Sequence, residues 1–165
     1  MFSYNDNEVK VNGARVVAAD IECSNGIIHV IDQVILPTSN TIVDTAKKAK
    51  VFETLLTAAT KAGLAGVLQK DGPFTIFAPT DEAFASLPEG TVASLLLPEN
   101  RENLVSILKF HILSGRVYAE QALKLGTAMT LQGKAVKIRV IDGQPRIQKA
   151  KILKTDIDAS NGVIH

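Results

Sequence analysis

Asp20-Ile21-Glu22-Cys23-Ser24-Asn25-Gly26-Ile27-Ile28-His29 returns near the far end of the chain as Asp156-Ile157-Asp158-Ala159-Ser160-Asn161-Gly162-Val163-Ile164-His165. The offset is 136 residues and runs back to Met1 without a gap, so residues 1–29 lie over 137–165. Nine of those 29 pairs are identical, and Val11/Ile147, Arg15/Lys151, Val16/Ile152 and Val17/Leu153 are conservative. Solenoid repeats have periods of about 20–50 residues, whereas this offset is the length of a domain. The chain reads as one domain length plus an overlap, starting inside one copy and stopping inside the next.

At 165 residues there is room for one domain with a real core. Eighteen basic and 17 acidic residues leave a net charge of +1. They are spread along the chain, so no basic face neutralises phosphates and no nucleic-acid partner is expected. No apolar run approaches the ~20 residues of a membrane-spanning helix. Residues 1–20 mix Asp, Glu and Lys with apolar positions and are not a signal peptide; Met1 falls inside a repeat, so a leader could lie upstream. Cys23 has no partner for an intramolecular disulfide. Ala159 at its repeat position marks it as a buried small residue rather than a reactive thiol.

Around the repeat the chain alternates between two periods. Phe2, Tyr4, Val9 and Val11 alternate with polar residues about an Asn5-Asp6-Asn7 turn, which predicts a hairpin. Arg15 to Ile21 predicts a further strand, Ser24-Asn25-Gly26 a turn with positive-φ positions, and Ile27 to Leu36 an apolar strand ended by Pro37. From Thr41 to Gln69 the period is helical, with Phe52, Leu55, Leu56 and Ala59 on one stripe and Gly63 as a break. Asp71-Gly72-Pro73 is a turn and Phe74–Ala78 a buried strand. Thr80 is an N-cap with Asp81 and Glu82 in the first helical turn. Helices are predicted over 91–97 and 100–109, capped by Thr91 and Asn100. An extended stretch over Phe110–Leu113, a short helix from Glu120 to Leu123, and strands over 128–131, 135–141, 146–148 and 151–157 complete the chain. Strands, then helices, then strands is an α+β order, with a helical layer at one side of a mainly antiparallel sheet system.

Two motifs then identify a family. Thr75-Ile76-Phe77-Ala78-Pro79-Thr80-Asp81-Glu82-Ala83-Phe84 resembles the first signature box of fasciclin domains, and Asn25-Gly26-Ile27-Ile28-His29-Val30-Ile31-Asp32 resembles the second. Asn161–His165 repeats the start of that second box, Phe110-His111 stands where the family usually has Tyr-His, and Thr41–Ala46 matches the usual domain start. The resemblance covers essentially the whole chain. It implies two mainly antiparallel β-sheets with a group of helices. It also implies an adhesion role, often in tandem copies on secreted, surface or periplasmic proteins, with a protein or surface-glycan partner. In animal members the Tyr-His region is associated with integrin binding, which makes Phe110 and His111 the binding candidates; Phe110 lacks the tyrosine hydroxyl. Thr75, Phe77, Pro79, Thr80, Asp81, Phe84, Asn25, Gly26, His29 and Asp32 are the motif positions expected to be structural.

In these terms residues 1–37 are the C-terminal β segment of one repeat, and 41–165 a domain without its final strand. Burying Val30, Val34, Ile35 and Leu36 is worth roughly 1.5–3 kcal/mol per aliphatic, so residues 30–37 are expected to dock. They complete their own domain, as in a circular permutant, or a neighbouring molecule by strand exchange. The short connector Thr38-Ser39-Asn40 favours exchange.

The residues that could carry other chemistry are few. His29 and His165 are one repeat position, and neither they nor His111 has a ligand partner at metal spacing. A histidine in an apolar strand is expected to be a hydrogen-bonded core residue. Asp81 and Glu82 are adjacent in a helix and point apart; Asp20/Asp156 and Glu22/Asp158 alternate with Ile21/Ile157 and are expected to face solvent or a turn, Asp32 and Asp44 read as structural, and Lys47, Lys48 and Lys50 as a solvated face. No hydrolase elbow, phosphate loop or dinucleotide fingerprint is present, so neither catalytic residues nor a cofactor is expected. The expected function is a non-enzymatic adhesion or matrix-interaction domain. The competing one is a carrier of a small apolar molecule, such as a carotenoid or lipid, in a cleft near Phe110.

Overall fold

The computed structural model describes residues 2–5, 8–12, 14–70 and 72–165, and contacts divide the chain between Pro37 and Thr38. The first part is an antiparallel meander of β1 (Phe2–Asn5), β2 (Glu8–Val11), β3 (Ala14–Cys23) and β4 (Gly26–Ile31), paired in chain order. Of the expected Asn5-Asp6-Asn7 turn, Asp6 and Asn7 lie outside the described residues. The strand expected over Ile27–Leu36 stops at Ile31. Asp32 closes the ladder there: its Oδ1 accepts the Arg15 amide at 2.8 Å and its own amide donates to the Arg15 carbonyl at 3.0 Å. Residues 34–37 take no regular structure, and Val34 and Leu36 are 83% and 79% exposed.

The second part opens with α1 (Ile42–Ala49), α2 (Glu53–Lys61) and α3 (Ala65–Leu68), followed by β5 (Phe74–Ile76), α4 (Asp81–Ala85) and α5 (Thr91–Leu95). After a 3-10 turn at Pro98–Asn100 come α6 (Arg101–Phe110), β6 (Ile112–Ser114), α7 (Ala119–Leu125), β7 (Thr127–Met129) and β8 (Ala135–Ile141). It ends with β9 (Gln144–Ile147), β10 (Ala150–Lys151), β11 (Ile157–Ala159) and β12 (Gly162–Ile164). Two four-stranded sheets result, β11-β12-β5-β6 and β10-β9-β8-β7. Every pairing is antiparallel except β12 with β5. Ile42, Val43 and Ala46 of α1 pack with Ile76, Ile112 and Ile164 of the first sheet. Phe77, Leu113, Ala122, Val136 and Ile138 form a second cluster, and α2 meets α6 through Ala58, Ala62, Leu104 and Leu108. This is the expected α+β architecture of two mainly antiparallel sheets and a helical layer.

Several local expectations are corrected. The helical stretch before Gly63 is two helices, broken where Lys50 is left-handed (φ 55°). In one continuous helix Phe52, six residues after Ala46, would lie about 240° around from it; the break lets both enter one cluster. Thr91 does not cap α5: Gly90, at φ 79°, holds that position. Asn100 precedes α6 but gives its amide to the Ser94 carbonyl at 2.8 Å. Phe110 ends α6 rather than starting a strand, and the strand expected over 151–157 splits into β10 and β11.

The repeat is visible in the backbone. Ile21, Glu22 and Cys23 face Ile28, Ile27 and Gly26, as Ile157, Asp158 and Ala159 face Ile164, Val163 and Gly162. Asn12 and Gln148 are left-handed at φ 48° and 52°, and Asp20 and Asp156 at 57° and 59°. The Asp20 amide donates to His29 Nδ1 at 3.2 Å, and the Asp156 amide to His165 Nδ1 at 3.2 Å.

Burial separates the two copies. Ala159 is fully buried in the cluster with α1, whereas Cys23, expected inside, is exposed. The glycines are corrected as well: neither Gly26 nor Gly162 has positive φ. A Cβ on Gly162 would overlap the Phe74 carbonyl oxygen and stand 2.6 Å from Ile42 Cδ1, so this glycine serves close approach to β5 rather than turn geometry.

Candidate functional site

The first motif lies beside Asn161–His165, the shortened copy of the second. Phe74, Thr75 and Ile76 pair in parallel with Gly162, Val163 and Ile164. The pairing carries on past the strands, with the His165 amide donating to the Ile76 carbonyl and the Ala78 amide to the His165 carbonyl, both at 2.8 Å. Thr75 is fully buried; its hydroxyl donates to the Gly115 carbonyl at 2.7 Å and accepts the Val117 amide at 2.9 Å. Phe77 stacks on the His165 ring at 5.4 Å between centroids. Because His165 Nδ1 accepts the Asp156 amide, the neutral ring carries its proton on Nε2 and donates it to the Val117 carbonyl at 2.9 Å. His165 is thus the hydrogen-bonded core histidine that the strand pattern predicts, and its repeat equivalent His29 is exposed.

Asn161 ties this pair of strands to the helices. Its side-chain oxygen accepts the Ile42 amide at the start of α1, and its amide group donates to the Leu68 and Lys70 carbonyls, each at 2.8 Å. Asn25, its equivalent, is exposed. Thr41 and Asp44 form a capping box on α1.

Asp81 has a different task from the one expected. Instead of serving only the dipole of its own helix, its carboxylate caps α2, accepting the Thr54 amide at 2.7 Å and the Glu53 amide at 3.2 Å. The Thr54 and Glu53 amides hold that carboxyl below the usual carboxylate range. Because the folded value is depressed, the stabilisation is present above the unfolded value near 4 and is lost as pH falls through the folded one. Asp81→Ala is expected to cost about 1 kcal/mol in urea unfolding at neutral pH. The gap from the parent should close as the medium is taken below about pH 4. A gap that stays constant down to acid pH would show that Asp81 does not act through its charge. Thr80 caps α4 through the Ala83 amide at 3.3 Å, as expected.

The Phe110-His111 pair sits where α6 gives way to β6. Phe110 is half-buried against the cluster that contains Phe77, Leu113, Ala122, Val136 and Ile138, and His111 Nδ1 donates to the Ile107 carbonyl at 2.9 Å. The Leu131 amide donates to the Ile112 carbonyl at 2.8 Å and the Gln132 side chain to Ser106 Oγ at 3.0 Å. These bonds tie the Leu131-Gln132 turn to α6 and β6, and at this corner Ile107 and Leu131 are exposed while His111 is half-buried.

A polar cluster escaped the sequence reading. Asp158 Oδ1 accepts from Arg116 Nη1 at 3.1 Å and from the Tyr118 hydroxyl at 2.8 Å, while Arg116 Nη2 donates to the Ala159 and Ser160 carbonyls. Burial, and then the bond to Asp158, raise the Tyr118 phenol above its ordinary value. Asp156, expected to face solvent or a turn, accepts the Ala119 amide at the start of α7 at 2.8 Å. The two-residue spacing of Arg116 and Tyr118 on an extended segment was the available signal. Among the described residues no group of three His, Cys, Asp or Glu is placed to hold a metal ion.

Two recesses adjoin the site. One, of about 160 Å³, lies between the helices and the first sheet and is lined by Ile42, Ala46, Leu56, Leu68, Leu108 and Ile164, among others. A cavity of about 150 Å³ holds benzene, and this recess encloses a volume of that order. The other, of about 190 Å³, is a groove beside His165, walled by Phe52, Phe77, Pro79 and Ile152, with His111 at its side.

The Fasciclin domain model matches residues 1–37 and 50–165. The chain belongs to the fasciclin family. It is 46% identical over 136 residues to Protein sll1483 of Synechocystis sp., covering 82% of this chain and 75% of that protein. It is 34% identical to Transforming growth factor-beta-induced protein ig-h3 of Sus scrofa, and 31% to Periostin of Homo sapiens. Each of these two matches covers 98% of this chain but only 24% and 19% of the longer relative. The fold matches a FAS1 domain pair from the insect cell adhesion molecule fasciclin I, with a TM-score of 0.68 at 18% identity over 99% of this chain and 64% of that one. No helix among the described residues is long and apolar enough to cross a membrane.

Proposed function

We propose that this fasciclin chain is a non-enzymatic adhesion module acting outside the cytoplasm on a protein or surface glycan. The observation that carries the reading is how the ionisable side chains in and around the two boxes are used. Asp81 caps α2, Asp156 caps α7, Asp158 holds Arg116 and Tyr118, and His165 bridges two backbone groups. Each is committed to holding the fold, which leaves surface recognition as the work available. Family membership and the fold shared with an insect cell adhesion molecule support the same reading. The Ile107–Leu131 corner beside His111 is the proposed contact face.

The test is retention of the chain on a glycan array and on a panel of immobilised extracellular-matrix proteins. Retention on at least one probe is expected, together with a loss of about tenfold, or ~1.4 kcal/mol, when Ile107→Asp and Leu131→Asp are combined. Both side chains are exposed, so the melting temperature should hardly move. Absence of retention on every probe, or retention indifferent to the pair, would remove the reading.

A further inference from the structure

We propose that the outer face of the β10-β9-β8-β7 sheet binds a linear acidic polysaccharide through Lys137, Arg139 and Arg146. The inference rests on the adhesion reading only in placing the chain outside the cytoplasm, and it uses residues separate from the Ile107–Leu131 corner.

The near-neutral total hides an uneven distribution. Seven of the 18 Lys and Arg residues, but one of the 17 acids, lie between residues 134 and 154. The expectation of charges spread evenly along the chain is corrected here. Val136 and Ile138 of β8 are buried, so the alternate residues Lys137 and Arg139 face outward, and both are exposed. The register sets Arg146 of β9 opposite Arg139, and Lys151 of β10 opposite Arg146. With adjacent strands about 4.8 Å apart, these three cations stand in line over about 10 Å, and Lys137 lies ~7 Å from Arg139 along β8.

Such a row is unfavourable by itself, because like charges directly opposed in a ladder destabilise it. Among the described residues none of these four cations takes part in an ion pair. Arg146 is half-buried; its Nε has no partner and its Nη1 reaches only the Lys149 carbonyl, at 3.3 Å. β8 and β9 are inner strands of the sheet, so Arg139 and Arg146 are not the edge cations that block strand addition.

The first copy of the repeat carries a neutralised version of the same ladder. Lys10 and Arg15, the equivalents of Arg146 and Lys151, face each other across β2 and β3. Glu8 holds both, at 3.2 Å from Lys10 and 3.5 Å from Arg15. The second copy has Gln144 at the Glu8 position and Arg139 at the Ser3 position. It thus has an amide in place of a carboxylate and a guanidinium in place of a hydroxyl. The anion that one ladder contains is missing from the other, and an external anion supplies it.

The neighbouring side chains choose the kind of anion. β7 to β10 contain no aromatic side chain, so there is no platform on which bases could stack. Beside the cations stand Thr127, opposite Lys137, and Gln144, two residues before Arg146. Their hydroxyl and amide donate to and accept from sugar hydroxyls. Cations in line on a sheet face suit an extended chain with repeated sulfate or carboxylate groups, whose paired oxygens match the arginine fork.

The test is the Kd of the 165-residue chain for heparin, which carries both sulfate and carboxylate groups, at physiological ionic strength. Binding that weakens with added salt is expected. Lys137→Glu combined with Arg139→Glu, both at exposed positions, should weaken it by about tenfold or more without lowering the melting temperature. Gln144→Glu, which installs the carboxylate of the first copy, should weaken it several-fold. Thr57→Glu, the same charge change on an exposed residue of α2, should leave it unchanged. Ile107→Asp with Leu131→Asp should also bind heparin as the parent does, so failure of the corner and failure of this face are told apart. Absence of heparin binding, binding indifferent to the Lys137–Arg139 pair, or equal losses in Thr57→Glu and Gln144→Glu would each overturn the proposal. So would tighter binding to single-stranded DNA or to phosphatidylserine vesicles than to heparin.

Discussion

Gly162→Ala is expected to destabilise the second part of the chain by about 3 kcal/mol or more, while Gly26→Ala, the same change at the repeat position, shifts stability by less than about 0.5 kcal/mol. The two glycines share the preceding Ser-Asn and their hairpin register. They differ in what faces them. A methyl group on Gly162 meets the Ile42 side chain and the Phe74 backbone, and the Phe74 backbone cannot give way without parting β12 from β5. A methyl group on Gly26 has nothing within 4 Å. The measurement is thermal unfolding of both single variants. At roughly 3 °C per kcal/mol for a chain of this size, the drop is about 10 °C for one and near zero for the other. Equal shifts would mean that β12 and β5 do not pack as described.

Asn161→Ala should be nearly as damaging, at about 3 kcal/mol, because three polar groups lose their partner together. The amide of Ile42, in a residue only 3% exposed, loses its acceptor, and the Leu68 and Lys70 carbonyls lose their donor. Asn161→Asp separates the contributions. It keeps an acceptor for the Ile42 amide but sets a carboxylate oxygen against two carbonyls, so it should not rescue stability. Asn25→Ala at the exposed equivalent turn is expected to be silent within about 0.5 kcal/mol. Urea unfolding of the three variants checks the pattern, and a stable Asn161→Ala would show that the Asn161 bonds do not hold α1 to the sheet.

Much of the fold was legible in the residues. The alternation of periods gave the α+β order, and Thr80 announced a helix start through capping chemistry that acts over three residues. The misreadings have one physical source. Asp81 was read within its own helix, yet it binds amides 27 and 28 residues away. Asp156 and Asp158 were read as solvent-facing, yet their partners Ala119, Arg116 and Tyr118 arrive from a segment about forty residues earlier. Lys50 breaks the first helical stretch because Phe52 must enter the core, and no local periodicity registers that requirement. For the site, the sequence nominated Phe110 and His111. The structure sets Phe110 against the core and leaves Ile107 and Leu131 exposed on the elements around that corner.

The repeated stretch separates the two sources of information. Its ten residues determine their own local geometry: the left-handed aspartate, the amide-to-histidine bond across nine residues and the strand register are the same in both copies. Those interactions close within the hairpin and need nothing from outside it. Whether Asn, Gly and His become buried anchors or an exposed turn is decided by tertiary structure alone. Their partners on α1 and near α3 lie 119 and about 90 residues away in sequence, and only the packed fold brings them to Asn161 and leaves Asn25 in solvent.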